Sequence, residues 1–377
     1  MEEVELFSDA RAGQSAGRIE LYITAVPTPG GSTQDQAREI FSEVKRILSA
    51  NNAVLLQERV FASQDAMALI PSVRAEVYGD LDDGVPPSWL LTPKTATGEV
   101  AGVQIHAMRG DSPVSIIELA GKPAGRLIKW GDCRYLAVSG LIPNTNGSLD
   151  AAAHSLLEDT ESILRSAGSG FQALTRTWFW LGDILSWYDV FNGVRTRFFA
   201  ERGMIGSQAG SEDLPASTGI GVYPRGGAPC ALDFITVTGP CRLNTNLLAA
   251  GNQDSPFRYG SAFSRATEAV TPAGETVYVS GTAAIDAEGR TQHIGDAQAQ
   301  IQSTIENVRG VLTNTNCADS DVVQAIAYCK TPEVESVWES VRAEIGWPFV
   351  TIIAGVCRDD LLFEVEATAV RGASKLA

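Results

Sequence analysis

The sequence predicts an α+β fold in which one supersecondary unit is used three times. Three observations carry this expectation. Strands ending in Ser-Gly occur at Ser139-Gly140 and at Ser280-Gly281, and each is followed by a helix with a single apolar side. The order strand, helix, strand, helix, strand runs three times along the 377 residues. A unit of this kind is an antiparallel or mixed sheet backed on one side by two helices.

In the first copy, residues 18–26 read as a strand, and 36–48 as a helix with Ala37, Ile40, Phe41, Val44, Ile47 and Leu48 on one side. A strand at 54–61 follows, then a second helix (Ala66, Leu69, Ile70, Val73, Val77), a break at Pro86-Pro87 and a strand at 99–107. The second copy begins with a strand at 135–141. Its helix carries Leu149, Ala153, Leu156, Leu157, Thr160, Ile163 and Leu164 and ends near Gly168. A strand at 174–181 leads to Asp183, the expected cap of a helix bearing Trp187, Phe191, Val194 and Phe198, and Leu214-Pro215-Ala216-Ser217 leads on to a strand at 230–237. In the third copy a strand at 277–281 precedes a helix capped by Asp296 (Ile301, Ile305, Val308, Leu312), a strand at 322–329, and a helix lined by Val334, Val337, Trp338, Val341 and Ile345. Pro348 opens the final strand pair. The expected units span 1–115, 116–240 and 241–377, and the helical stripes are core.

The last strand is unusual. From Leu362 onward Phe363, Val365, Ala367 and Ala369 alternate with Glu364, Glu366 and Thr368, the pattern of a half-buried strand. Two carboxylates then share one face roughly 7 Å apart. They repel unless one meets water or a cation and the other a pocket that raises its pKa, which would make it a proton donor. An ordinary solvated outer face is the alternative.

Composition narrows the function classes. A hydrophobic fraction of 44% fits a globular protein with a full core, and no apolar run is long enough to span a bilayer. The start, Met1-Glu2-Glu3-Val4-Glu5, is acidic where a signal peptide needs basic and apolar residues, so a cytoplasmic protein is expected. The six cysteines show no CxxC pairing, and His106, His154 and His293 lie far apart, which argues against a disulfide scaffold and a clustered zinc site. No phosphate-cradling glycine loop appears, so neither a metal nor a nucleotide cofactor is expected. A formal charge of −16 without a basic cluster would repel phosphate backbones and argues against nucleic acid as a partner. An anionic substrate would need a few arginines to build a local positive pocket.

The repeated pattern, with its final Glu-x-Glu-Ala strand, resembles the Rid (YjgF) fold, a chorismate mutase-like fold whose members form trimers with clefts between subunits. Arg258-Tyr259-Gly260-Ser261-Ala262-Phe263-Ser264-Arg265-Ala266 is similar to that family's entry segment. The resemblance implies a pseudo-trimer within one chain. Rid imine deaminases grip a substrate carboxylate with an arginine two residues after the proline of the Pro-initiated strand. Here those places hold Ser88 or Trp89, Ser217 and Val350, so deaminase chemistry is not implied.

A second resemblance, over residues 135–371 and more weakly over the whole chain, is to the chorismatases, which look like tandem Rid repeats. It rests on Leu174-Thr175-Arg176-Thr177-Trp178, Pro215-Ala216-Ser217-Thr218-Gly219-Ile220-Gly221, Cys241-Arg242-Leu243-Asn244, Tyr259-Gly260 with Phe263-Ser264-Arg265-Ala266-Thr267, Ser280-Gly281-Thr282-Ala283, and Asp359-Asp360-Leu361-Leu362-Phe363-Glu364-Val365-Glu366. It implies that Glu364 is a general acid on the enolpyruvyl group of chorismate, releasing pyruvate, and that no cofactor takes part. Arg265, Arg242 and Tyr259, with Arg176 second, are the candidates for holding the substrate's two carboxylates; surface salt bridges are their alternative role. Gly281 and Cys357 correspond to the two positions that separate family members forming 3-hydroxybenzoate (Gly and Cys) from those stopping at the dihydroxylated diene (Ala and Ala), so 3-hydroxybenzoate is the expected product. In the Gly281 expectation, the missing side chain makes room for the substrate ring. The competing readings are hydrolysis to the diene, a non-catalytic Rid-like metabolite-binding protein, and an endoribonuclease. Monomeric pseudo-trimer and homo-oligomer both remain open.

Overall fold

A computed structural model describes residues 7–376 apart from 16, 111–112, 146, 207–209, 211, 241–244 and 273. In chain order its elements are β1 (Phe7–Ser15), β2 (Arg18–Val26), α1 (Thr33–Ala50), β3 (Val54–Ala62), α2 (Ile70–Tyr78), β4 (Ser88–Leu91) and β5 (Val100–Arg109). There follow β6 (Val114–Leu119), β7 (Lys122–Trp130), β8 (Cys133–Leu141), α3 (Leu149–Ser166), β9 (Leu174–Leu181), α4 (Ile184–Glu201), β10 (Ala216–Ile220), β11 (Tyr223–Pro224) and β12 (Cys230–Thr238). The remainder comprises β13 (Thr245–Leu247), β14 (Ala266–Thr271), β15 (Gly274–Ala283), α5 (Ala297–Asn314), β16 (Val322–Cys329), α6 (Pro332–Val341), β17 (Phe349–Ile353), β18 (Phe363–Val370) and β19 (Ser374–Lys375).

The three sheets share one topology. Their common strands run in the orders β1-β2-β5-β3-β4, β7-β8-β12-β9-β10 and β14-β15-β18-β16-β17. In each, the last two strands are parallel, and the other pairings are antiparallel. A parallel neighbour needs a crossover, which α2, α4 and α6 supply. The unit is therefore a hairpin followed by αβαββ, two strands longer than the strand, helix, strand, helix, strand order: one opens the unit, and the short β4, β10 or β17 precedes its last strand. β19 returns to pair with β1, and β11 joins β4, so both exchanges stitch other parts of the chain onto the first sheet.

Local chemistry sets the helix starts. Ser32, Asp296 and Thr331 cap α1, α5 and α6 by accepting from the backbone N–H three residues on, and Pro332 occupies the first turn of α6. Asp183 behaves differently from expectation: it is left-handed (φ +47°) and its carboxylate makes no cap bond. Its backbone carbonyl instead accepts from the N–H and hydroxyl of Ser186. Asp tolerates this conformation better than most side chains, and it lets the chain turn sharply out of β9. The second helix of the first unit is shorter than expected. A 3₁₀ turn at Ala66–Ala68 precedes it, because Pro71 cannot donate within a longer helix.

Three cores lie between each sheet and its own helices, and a fourth lies where the sheets meet. The fourth takes Phe61 and Met108 from the first sheet, Trp178, Trp180 and Ile235 from the second, and Tyr278, Ile326 and Ile352 from the third. This inner core makes the three units a pseudo-trimer within one chain. One position on the third strand of each unit latches onto the next unit: Gln57 donates to Val138 O (2.7 Å), Arg176 to Glu366 Oε2 (2.9 Å), and Gln324 to Ile23 O (3.0 Å). β18 is consequently buried on both faces, and the alternative of a solvated carboxylate face does not hold. No helix among the described residues is long and apolar enough to cross a membrane.

Candidate active site

The polar face of β18 looks across the seam at β9 and β10 of the second unit, where a cleft of about 580 Å³ opens. That volume suits a small molecule. Tyr188, Asn192 and Arg197 of α4 and Ser217 of β10 line one wall; Tyr259, Arg265, Gly281, Cys357, Arg358 and Glu364 line the other.

The two carboxylates of β18 meet different surroundings. Glu366 accepts from Arg176 Nη2 (2.9 Å) and Trp178 Nε1 (2.6 Å), and the same Arg176 nitrogen donates to Thr218 Oγ1 (2.6 Å). This carboxylate is neutralised in place. Glu364 sits two residues earlier, between Ala283 of β15 and Tyr328 of β16, and among the described residues no side chain donates a hydrogen bond to it. Burial, seconded by the negative charge of Glu366, pushes its pKa up to about 8 against the pull of Arg176, Arg265 and Arg358. One carboxyl is ion-paired in the seam, and the other is an acid of raised pKa facing a cleft.

Arg265 is buried beside it. Its Nε donates to Asp254 O (3.1 Å) and its Nη2 to the Tyr259 hydroxyl, while desolvation lowers its pKa. Arg358 is also near the Tyr259 ring, its Cζ 5.6 Å from the centroid, against 5.7 Å for that of Arg265. Burial raises the Tyr259 pKa, and the two flanking guanidinium groups oppose the rise. Cys357, half-buried, has its thiol pushed up to about 12 by burial and then by Glu364, so it is a neutral contact. A Cβ on Gly281 would fall on the Glu364 Oε1 atom, so the room this glycine leaves is filled by the acid's own carboxyl, not held open for a ring as the sequence suggested.

The structure thus brings Glu364, Arg265, Tyr259, Gly281 and Cys357 to one cleft. Arg176 is elsewhere: it is buried against Glu366 and does not line the cavity, so its guanidinium is committed to the seam. Arg242, with the rest of Cys241-Arg242-Leu243-Asn244, lies outside the described residues. Sequence reasoning missed Arg358 and the α4 wall. A signal existed there, since Tyr188, Asn192 and Arg195 fall at i, i+4 and i+7 along a helix otherwise read only for its aromatic stripe.

Strand registers show why only one seam carries this chemistry. The places equivalent to Glu364 hold Ala231 on β12, opposite Trp180, and Gly102 on β5, opposite Phe61. Those equivalent to Glu366 remain polar: Asp233 accepts from Arg59 and Ser88, and Gln104 donates to Ala325 O. The latch is kept at all three seams and the free acid at one. Glu366→Gln should therefore act mainly on stability, since it leaves Arg176 buried without a counter-charge at a cost of about 3–5 kcal/mol. It also removes a charge that raises the Glu364 pKa. Urea unfolding and a pH–rate profile check this: a stability loss with the alkaline edge moved to lower pH is expected, whereas catalytic loss equal to that of a Glu364 variant contradicts it.

Comparison with known proteins adds the following. Residues 260–371 match the family described as Endoribonuclease L-PSP. A crystal structure of a chorismatase superposes with a TM-score of 0.62 at 21% identity, covering 84% of this chain and 93% of that one. Shorter proteins match about a third of the chain: yeast Mmf1 (18% identity, TM-score 0.28, 34% of this chain and 98% of that one) and E. coli TdcF with bound serine (19%, 0.24, 29% and 88%). No curated protein matches. At 21% identity the first likeness is one of fold: this chain has the chorismatase architecture, Rid-like units closed into a pseudo-trimer.

Proposed function

We propose that the chain is a chorismatase in which Glu364 protonates the enolpyruvyl methylene of chorismate, giving pyruvate and 3-hydroxybenzoate. The observation that carries this reading is the Glu364 carboxyl, buried at the cleft with its pKa raised to about 8, where among the described residues no side chain donates to it and neither Arg265 nor Arg358 forms a salt bridge. The chorismatase fold of the chain supports it.

The chemistry follows from the groups present. Glu364 gives its proton to the methylene carbon, and the enol ether becomes an oxocarbenium ion. The ring carbon–oxygen bond breaks with its electron pair going to oxygen, and pyruvate leaves as the ketone. The neighbouring ring hydroxyl attacks the carbon being vacated, and its proton returns to the Glu364 carboxylate. Opening of the resulting three-membered ether moves a proton from ring carbon to oxygen, and the ring becomes aromatic. Water is neither consumed nor released. Cys357 offers a neutral polar contact at the cleft, and an ionised Tyr259 or Cys357 is not required.

Among the described residues no acceptor meets Arg265 Nη1, which suits one substrate carboxylate. Arg265→Ala should weaken chorismate binding by about 1.5–3 kcal/mol, the range for hydrogen bonds to charged groups. Calorimetry checks this, and unchanged affinity would return Arg265 to a structural role. The activity itself is tested by incubating the full chain with chorismate and separating products by chromatography. Pyruvate with 3-hydroxybenzoate is expected. Mainly the dihydroxylated diene or 4-hydroxybenzoate would overturn the product, and no turnover, or cleavage of RNA instead, would overturn the activity.

A further inference from the structure

A second cavity lies at another seam, where the third unit meets the first, and it shares no lining residue with the cleft. It measures about 320 Å³, near the small end of the range for ligand sites. Asp9 and Arg11 of β1, Lys375 of β19, Arg342 of the 3₁₀ turn after α6, and Trp347 and Phe349 leading into β17 bound it. Three cations from three separate elements therefore converge on one spot of a chain whose formal charge is −16. The β1–β19 ladder arranges two of them, because Arg11 and Lys375 are register partners and project to the same side.

The donors and acceptors of this cavity do not balance. Its one carboxylate is spent, since Asp9 Oδ1 accepts from Arg11 Nε (2.8 Å) and Oδ2 pairs with Lys375 Nζ (3.3 Å). Arg11 gives its terminal nitrogens to Val322 O (2.7 Å) and Gly346 O (3.2 Å), which commits it to the seam. Donors remain. Arg342 meets Glu339 through Nε (3.0 Å), and among the described residues no acceptor meets its two terminal nitrogens. Lys375 has two further N–H groups beyond its pairing with Asp9. Trp347 is 4% exposed, and its indole Nε1 is a buried donor with no acceptor among the described residues, an arrangement that costs stability until something accepts from it. Setting Asp9 and Glu339 against Arg11, Lys375 and Arg342 leaves one positive charge, 3 − 2 = 1.

These groups define what would balance them. One net positive charge suits a monoanion, and the terminal nitrogens of a guanidinium match the two oxygens of a carboxylate. The Trp347 and Phe349 rings, 5.7 Å apart between centroids and tilted by 30°, give the cavity an apolar wall. We infer that this cavity is a second binding site, for a small carboxylate carried on an aromatic or short apolar body, held by Arg342, Lys375 and Trp347. Its occupant fastens β19 to the turn after α6, and through Asp9 and Arg11 it secures the first unit against the third. The inference does not depend on what the cleft catalyses.

Benzoate is the probe, added to the full chain at constant ionic strength, and the readout is the indole N–H resonance of Trp347, assigned through Trp347→Phe. Trp347 reports on this cavity and does not line the cleft, so benzoate entering the cleft leaves the reading local. The resonance should shift and saturate at millimolar benzoate. Arg342→Gln should raise the dissociation constant read from it about tenfold, the scale of one lost hydrogen bond to a charged group, with Arg342→Lys recovering part of the loss. Lys375→Gln should raise it by a smaller factor, because that ammonium is 66% exposed. Inorganic phosphate should shift the resonance far less, having no apolar body to set against the two rings. Arg342 and Lys375 are both partly exposed, so each variant reads out binding in a folded protein. A Trp347 resonance that benzoate leaves in place, or a dissociation constant unchanged in Arg342→Gln and Lys375→Gln alike, overturns the site. An equal response to phosphate overturns the carboxylate assignment.

Discussion

Glu364→Gln is expected to reduce pyruvate release from chorismate by about 10²–10⁴-fold, the usual range for loss of a general acid, while the protein keeps its fold. The amide fills the volume of the carboxyl but has no proton to give. The wild-type rate should be highest where Glu364 is protonated and should fall as pH rises through about 8, where its raised pKa lies. Stability follows the same group with a definite sign. A carboxyl whose folded pKa is raised contributes fully below its ordinary value of 4.5 and loses that contribution as pH rises through about 8. The glutamine variant does not titrate there, so its melting temperature should fall less than that of wild type between pH 5 and pH 9. Retained turnover in the variant, or an activity edge unmoved by the mutation, would remove Glu364 from the chemistry.

Much of the architecture was legible because it is written in periodicity. The stripes of α1, α3 and α5 and the apolar runs of β3, β9 and β16 are long and regular, and the structure places them where the pattern indicates. The hairpin strands were not legible. β1 (FSDARAGQS) and β14 (ATEAVT) lack a strong apolar alternation, and pairing with β2 and β15 recruits them as strands. The β18 pattern was visible, but its polar face could not be classified. Whether Glu364 and Glu366 meet solvent depends on a seam between units far apart in sequence, and Arg176 and Trp178 approach Glu366 from nearly 190 residues away. The same limit concealed the α4 wall. Tyr188 and Asn192 lie outside the aromatic stripe of α4, and the residues of the third unit that complete their cleft are remote in sequence.

Gly281→Ala is expected to have the second-largest effect, and its mechanism is steric. The added Cβ would overlap Glu364 Oε1 and press on Thr218 Cγ2 at 3.2 Å, so either the carboxyl rotates or β10 and β15 part. Thr218 is held by Arg176 and by the Gly281 N–H, which leaves the acid as the group free to move. Displacing a catalytic group by an ångström can cost about 10²-fold, so kcat should fall by that order with little loss of melting temperature. Gly140, the same Ser-Gly position in the second unit, makes a useful control. There a Cβ meets the Pro87 carbonyl and the glycine is left-handed (φ +65°), so Gly140→Ala should destabilise the protein without touching the cleft. Cys357 lines the same cleft, the Glu364 charge is among the causes that push its thiol pKa up, and Cys357→Ala removes side-chain volume there. The pair should then be non-additive: Gly281→Ala with Cys357→Ala should recover turnover relative to Gly281→Ala alone. Because the acid now sits differently over the ring, the recovered products should shift from 3-hydroxybenzoate toward the dihydroxylated diene. Chromatography of the products from all four proteins tests both statements. Additive losses with an unchanged product would mean that Gly281 and Cys357 act separately, and a fully active Gly281→Ala would mean that Glu364 does not work from the position it occupies here.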